Sequence, residues 1–207
     1  DQAKIRATLA LNGSVCEAYP QVVDVAQKSK WEMMGHNYVQ IPMHLTEDER
    51  SAILKTVETI KDHTGQHPRG WMGPGLTQTD NTPEFLVDAG VEYVADWVLD
   101  DLPCELTTKS GPLYSIPYSV EINDVAMFAI QEQPASELFQ RTMDQFECLY
   151  EEGKDNARIM AIAVHPYLTG VPHRIKYYQR LIETISGYDD VLFWTGDQIL
   201  DWYKAAQ

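Results

Sequence analysis

Two histidines stand where apolar stretches stop. "RIMAIAVH" runs through residues 158–164 into His165, and "WEMMGH" closes on His36. Imidazole exchanges its proton near neutrality, so either ring could give or take a proton in a reaction. Other polar side chains recur at comparable places. Arg69 and Trp71 accompany a short apolar stretch, Asp96 is followed by Asp100 and Asp101, and Asn123 and Asp124 close "GPLYSIPYSVEIND". Taken singly, each has an ordinary use as a cap, a turn former or a surface charge. Their recurrence at strand end after strand end points to one shared site, because parallel strands deliver chemistry at their C-terminal ends.

A metal centre is the weaker reading of these residues. Such a site here would want a second imidazole four residues after His36, and Gln40 occupies that place. A neutral amide oxygen is a poor zinc ligand beside imidazole, thiolate or carboxylate. His44 lies eight residues from His36 and beyond Pro42, which makes it a poor substitute.

The elements that must hold these residues alternate. Strands are expected at 5–11, 31–36, around 67–77, at 91–96, at 158–164 and at 190–195. Helices are expected at 16–30, 46–65, 81–90, 135–153, 172–187 and 196–206, with a β-ribbon at 111–124. The clearest helix is "TEDERSAILKTVETIKDHTG", where Thr46 and Glu49 form the sequence pattern of a capping box and Gly65 stands at the C-terminal stop. Strand and helix in repeated alternation argue for parallel strands joined by crossover helices. Residues 1–207 read as a single α/β domain, closed barrel or open sheet.

Composition narrows the class. The chain has 207 residues, 44% of them hydrophobic and 23% charged, as in ordinary globular domains. A net charge of -15, from 31 acidic against 16 basic residues, argues against a nucleic-acid partner. No apolar run reaches the roughly 20 residues a membrane-spanning helix needs. Cys16, Cys104 and Cys148 stand apart from one another, which fits a reducing, cytoplasmic setting.

The order of elements resembles the polysaccharide deacetylase (NodB-homology) superfamily. "GHNYVQ" stands where those enzymes carry H-x3-H, "RGWMGPG" looks like their groove loop, and "AVHP" like their late L-x-H. "TGQHPRGWMGPG", "DDLP", "PYSVEINDV" and "HPYLTGVPHRI" are closer to the metal-independent allantoinase and cyclic-imide hydrolase branch.

The resemblance implies a distorted (β/α) barrel of fewer than eight strands that hydrolyses a C–N bond in an amide, ureide or imide. The superfamily's opening strand bears a catalytic Asp pair, and nothing in residues 1–15 matches it. The expectation is therefore a barrel without its first β-α unit. Either the chain is a fragment, or an N-terminal segment on another chain completes it, or the chemistry has been lost.

Under this resemblance His165 is the general acid, held protonated by Asp101 or Asp100. Arg69 orients a carboxylate base or an anionic substrate group. His36 binds or polarises the substrate carbonyl, or ligates a metal if one is present, with Gln40 beside it. Trp71 walls the pocket, and Asn123 and Asp124 read the ureide or imide edge. No cofactor is expected, with Zn2+ as the alternative. The expected partners are a small-molecule substrate and further copies of the chain, not a membrane.

Overall fold

The computed structural model describes residues 5–207. The chain separates into two compact units. The first holds the chain up to Leu99, Pro103–Ile116 and Phe193–Gln207; the second holds Asp100–Leu102 and Pro117–Leu192.

The first unit begins with β1 (Thr8–Leu11), two short helices, α1 (Gly13–Ala18) and α2 (Pro20–Lys28), and β2 (Glu32–Gly35). The single helix expected over 16–30 is divided because Pro20 has no N–H and disfavours helical geometry at Tyr19, whose backbone is non-helical. Next come α3 (Glu49–Thr64), β3 (Gly70–Trp71), α4 (Thr82–Asp88), β4 (Tyr93–Val94), β5 (Cys104–Thr107) and β6 (Pro112–Ser115). Helix α3 ends at Gly65 in the left-handed region, φ 71°, as expected. Its start differs from expectation. Asp48 is the cap, accepting the Ser51 N–H at 3.1 Å, while Glu49 accepts the hydroxyls of Thr79 and Thr82.

The second unit carries a π-helical turn at Val125–Ile130, α5 (Glu137–Glu152), α6 (Pro166–Thr169) and α7 (Pro172–Ile185). The final helix, α8 (Gly196–Ala205), is part of the first unit.

The sheet order is β1-β2-β3-β4-β6-β5. Every pairing is parallel except β5 with β6, an antiparallel ribbon that lies earlier in the chain than the 111–124 expected, where Val120–Ile122 is instead a helical turn. All four residues of β2 are buried. Met33 packs with Leu11, Cys16, Val23 and Ile60, and Met34 packs with Tyr93, Tyr114 and Leu200. A strand covered on both faces is the signature of a parallel sheet inside an α/β layer structure.

The fold is α/β with a mostly parallel sheet, and the barrel is not closed. The strands expected at 158–164 and 190–195 are absent from the ladder. Residues 158–165 are half-buried and make a single parallel bridge, Ala163 to Asn123. Apolar, extended chain becomes a strand only where a neighbour supplies a run of backbone partners. Among the described residues, no helix is long and apolar enough to cross a membrane.

Candidate functional site

In the second unit, His165 is the N-cap of α6, directly before Pro166 at its first position. Proline at N1 costs nothing there, since that N–H would have no helical partner. The His165 ring Nδ1 lies 2.6 Å from Asp124 Oδ1, and its side chain is 40% exposed. Asp124 is fully buried. Its Oδ2 accepts the backbone N–H of His165 at 2.7 Å and the Thr169 hydroxyl at 2.7 Å. Burial alone would raise the Asp124 carboxyl. The His165 ring, the His165 N–H and Thr169 outweigh burial and hold it below the usual carboxylate range. Because an ionised carboxylate only accepts, Nδ1 must carry a proton.

The carboxylate against His165 is thus Asp124, not Asp100 or Asp101. Asp100 Oδ1 instead accepts the Asp101 N–H at 2.6 Å, and the Asp101 carbonyl accepts from Ile159. Both carboxylates act on the Arg158 guanidinium. Sequence distance misled here: nothing local marks Asp124 as lying beside a residue 41 positions on. Asn123 is likewise committed to its own turn. Its Nδ2 donates to the Tyr118 hydroxyl at 2.6 Å and its Oδ1 accepts the Val125 N–H at 2.8 Å. Asp124 and Asn123 therefore face protein partners, whereas the expectation had them facing a substrate edge.

In the first unit, His36 follows β2 and Met72 follows β3. His36 Nδ1 lies 2.6 Å from the Met72 carbonyl. A carbonyl can only accept, so Nδ1 donates, and in the neutral ring the lone pair sits on Nε2. Asn12, following β1, donates its amide to the His36 carbonyl. Asp96, two residues past β4, is the carboxylate of this rim that no role had been assigned to. It is 6% exposed, and it accepts the Gly73 N–H at 2.7 Å and the Gln78 amide at 2.6 Å. Burial drives its carboxyl up to about 6, against the partial relief of those bonds. Its signal in the sequence was the same strand-end position that singled out the histidines.

Arg69 is not brought to this rim. It precedes β3 by one residue, so it enters the strand where His36 leaves one. At that opposite edge its Nε meets Glu92 at 2.5 Å and its Nη2 meets Asp201 of α8 at 2.8 Å, with Lys204 2.9 Å from Glu92. The N-terminal ends of parallel strands are where stabilising networks collect. Trp71 is fully buried among Met43, Ile53, Leu86 and Leu113, not in a pocket wall. Gln40 is exposed in the bend after His36.

Around His36, the described residues fall short of the donor set that zinc takes. Among the described residues, no three His, Cys, Asp or Glu side chains gather closely enough to hold a metal ion. His36 has an amide, Gln40, where a second imidazole would be needed.

With this geometry in place, likeness to known proteins becomes informative. The family model described as Polysaccharide deacetylase matches residues 1–94. A Schizosaccharomyces pombe relative named for polysaccharide deacetylase activity is 28% identical over 225 residues, which cover 98% of this chain and 69% of that protein. A peptidoglycan deacetylase of Helicobacter pylori is 26% identical over 229 residues, covering 94% of this chain and 78% of that protein. The crystal structure of PuuE allantoinase superposes with a TM-score of 0.91 at 26% identity, covering 98% of this chain and 68% of that one. In sequence and fold, then, the chain is similar to proteins named as deacetylases and to an allantoinase, in keeping with the NodB-homology resemblance.

Proposed function

Taking the chain as a NodB-like hydrolase, we propose that it cleaves a non-peptide C–N bond in a cyclic amide, ureide or imide, without a metal, and with His165 as general acid. One observation carries this reading: a half-exposed imidazole whose Nδ1 is bonded to a buried, triply bonded carboxylate. Amide hydrolysis stalls on the leaving nitrogen, which departs poorly as an anion. Asp124 fixes the ring with Nδ1 inward and stabilises the imidazolium, so Nε2 becomes the donor. Water adds its oxygen to the carbonyl carbon and gives its proton to solvent; as the tetrahedral species collapses, the C–N bond breaks, its electron pair takes the proton from Nε2, and solvent returns a proton to Nε2. Thr169 and the His165 N–H keep Asp124 ionised. His36 is assigned to substrate binding. Its Nδ1 donates to the Met72 carbonyl, which fixes how the ring is turned.

A second reading is deacetylation of an N-acetylated sugar, favoured by the names of the two relatives. Turnover of allantoin, hydantoin, a cyclic imide and N-acetylglucosamine, each with added zinc and with a chelator, separates the two. Chelator-insensitive turnover of a ureide or imide is expected. Turnover of the N-acetyl sugar alone, dependent on stoichiometric zinc, overturns the first reading in favour of the second.

A further inference from the structure

One peptide group in the first unit touches both Asp96 and His36. The Met72–Gly73 peptide accepts the His36 Nδ1–H through its carbonyl at 2.6 Å and donates its N–H to Asp96 Oδ2 at 2.7 Å. We infer that Asp96 is a positioning residue for His36, acting through this shared peptide to hold the ring with its proton on Nδ1 and its lone pair on Nε2.

A negative charge on the N–H side of an amide polarises it and makes its carbonyl a stronger acceptor; hydrogen bonds in series reinforce one another. The effect is greatest where water is excluded, and Asp96 is almost fully buried. The donors bonded to it, Gly73 N–H and the Gln78 amide, are neutral, so neither cancels its charge. The frame is rigid as well. His36 N–H is bonded to the Leu11 carbonyl at 3.1 Å and Met72 N–H to the Gly35 carbonyl at 2.9 Å, which ties both ends of the bridge to the sheet. Residue 73 must be glycine for the approach to occur: a Cβ there would stand 2.0 Å from the Thr77 carbonyl oxygen and 3.1 Å from Asp96 Oδ2. Asp96 thereby orients the His36 ring through a peptide, where Asp124 meets the His165 ring directly.

The functional weight of this relay rests on His36 being the substrate-binding imidazole, but its existence can be read without turnover. In 1H and 15N spectra of the whole chain at neutral pH, His36 should show a protonated, deshielded Nδ1 and an unprotonated Nε2. The near-isosteric Asp96→Asn keeps an acceptor for Gly73 but removes the charge. Both the Gly73 amide proton and the His36 Nδ1 proton should then move upfield together. Asp96→Leu removes the acceptor, and the His36 population should move toward the Nε2–H form. An Nε2–H ring in the unaltered chain overturns the relay without any variant. So does a His36 signal that stays put when the Gly73 amide moves in Asp96→Asn, or when neither moves. A chain that turns over none of the four substrates would defeat the proposed function and leave these spectra unchanged.

Discussion

His165 and His36 both end apolar stretches, yet they are held in different ways. His165 meets its carboxylate directly, at 2.6 Å from a fully buried Asp124. His36 meets a backbone carbonyl, and its carboxylate, Asp96, stands on the far side of a peptide. Direct contact with a carboxylate gives the Nδ1 proton of His165 a charged acceptor. The Met72 carbonyl gives the Nδ1 proton of His36 an uncharged one. The two arrangements differ in the charge set against the same side-chain type. The carboxylates differ in the same sense. Asp124, with three donors, is held below the usual range, whereas Asp96, with two neutral donors, is pushed up to about 6.

The sharpest way to break this contrast is His165→Ala. Turnover should fall by about 10²–10⁴-fold, the usual contribution of a positioned acid, with far-ultraviolet circular dichroism unchanged. Near-full activity would remove His165 from the chemistry. Asp124→Asn should follow with a loss of about 10²-fold in kcat. The amide cannot offer the Nδ1 proton the charged acceptor that Asp124 does.

A third experiment sets the carboxylates against each other. The folded Asp96 pKa, about 6, lies above its ordinary 3.8. Its contribution to stability is therefore full below about pH 4 and is lost as pH rises through about 6. The change is worth about 3 kcal/mol. The folded Asp124 pKa is depressed, so its contribution is present above the ordinary carboxylate pKa and is lost as pH falls through the folded value. Urea unfolding from pH 3 to 8 should show the gap between the unaltered chain and Asp96→Asn shifting in favour of the variant with rising pH. The gap for Asp124→Asn should shift the other way. Gaps that do not change with pH would show that neither carboxylate is perturbed by its site.

The smallest effect is expected at Arg69. Arg69→Met should cost about 1 kcal/mol in unfolding free energy, as half-exposed ion pairs do, and leave kcat within about twofold. A large drop in kcat with unchanged stability would return Arg69 to the catalytic set.

Much of the scaffold could be read locally. The long helices appear within a few residues of the stretches whose periodicity marks them: Glu49–Thr64 in 46–65, Glu137–Glu152 in 135–153, Pro172–Ile185 in 172–187. The Gly65 stop was equally plain, since only a residue free to adopt positive φ ends a helix that way. The π-helical turn at Val125–Ile130 was not, because its apolar run reads equally well as extended chain. The candidate site was legible in kind but not in pairing. The strand-end rule put His36 and Asp96 at one rim, but no strand directly precedes His165, and it gave Arg69 to the wrong end of β3, where a shift of one or two residues separates entering a strand from leaving it.

What the sequence determined by itself was therefore the α/β class, the superfamily likeness and two candidate histidines. Periodicity, caps and glycine stops act over a few residues and are written in local order. Only the tertiary structure decided that His165 faces Asp124 and not Asp101, that Arg69 is bound to Glu92 and Asp201, and that residues 158–164 stay out of the ladder. Each of those outcomes depends on which distant group arrives within about 3 Å, the reach of a hydrogen bond. That is fixed by the path of the whole chain, and no window of sequence contains it.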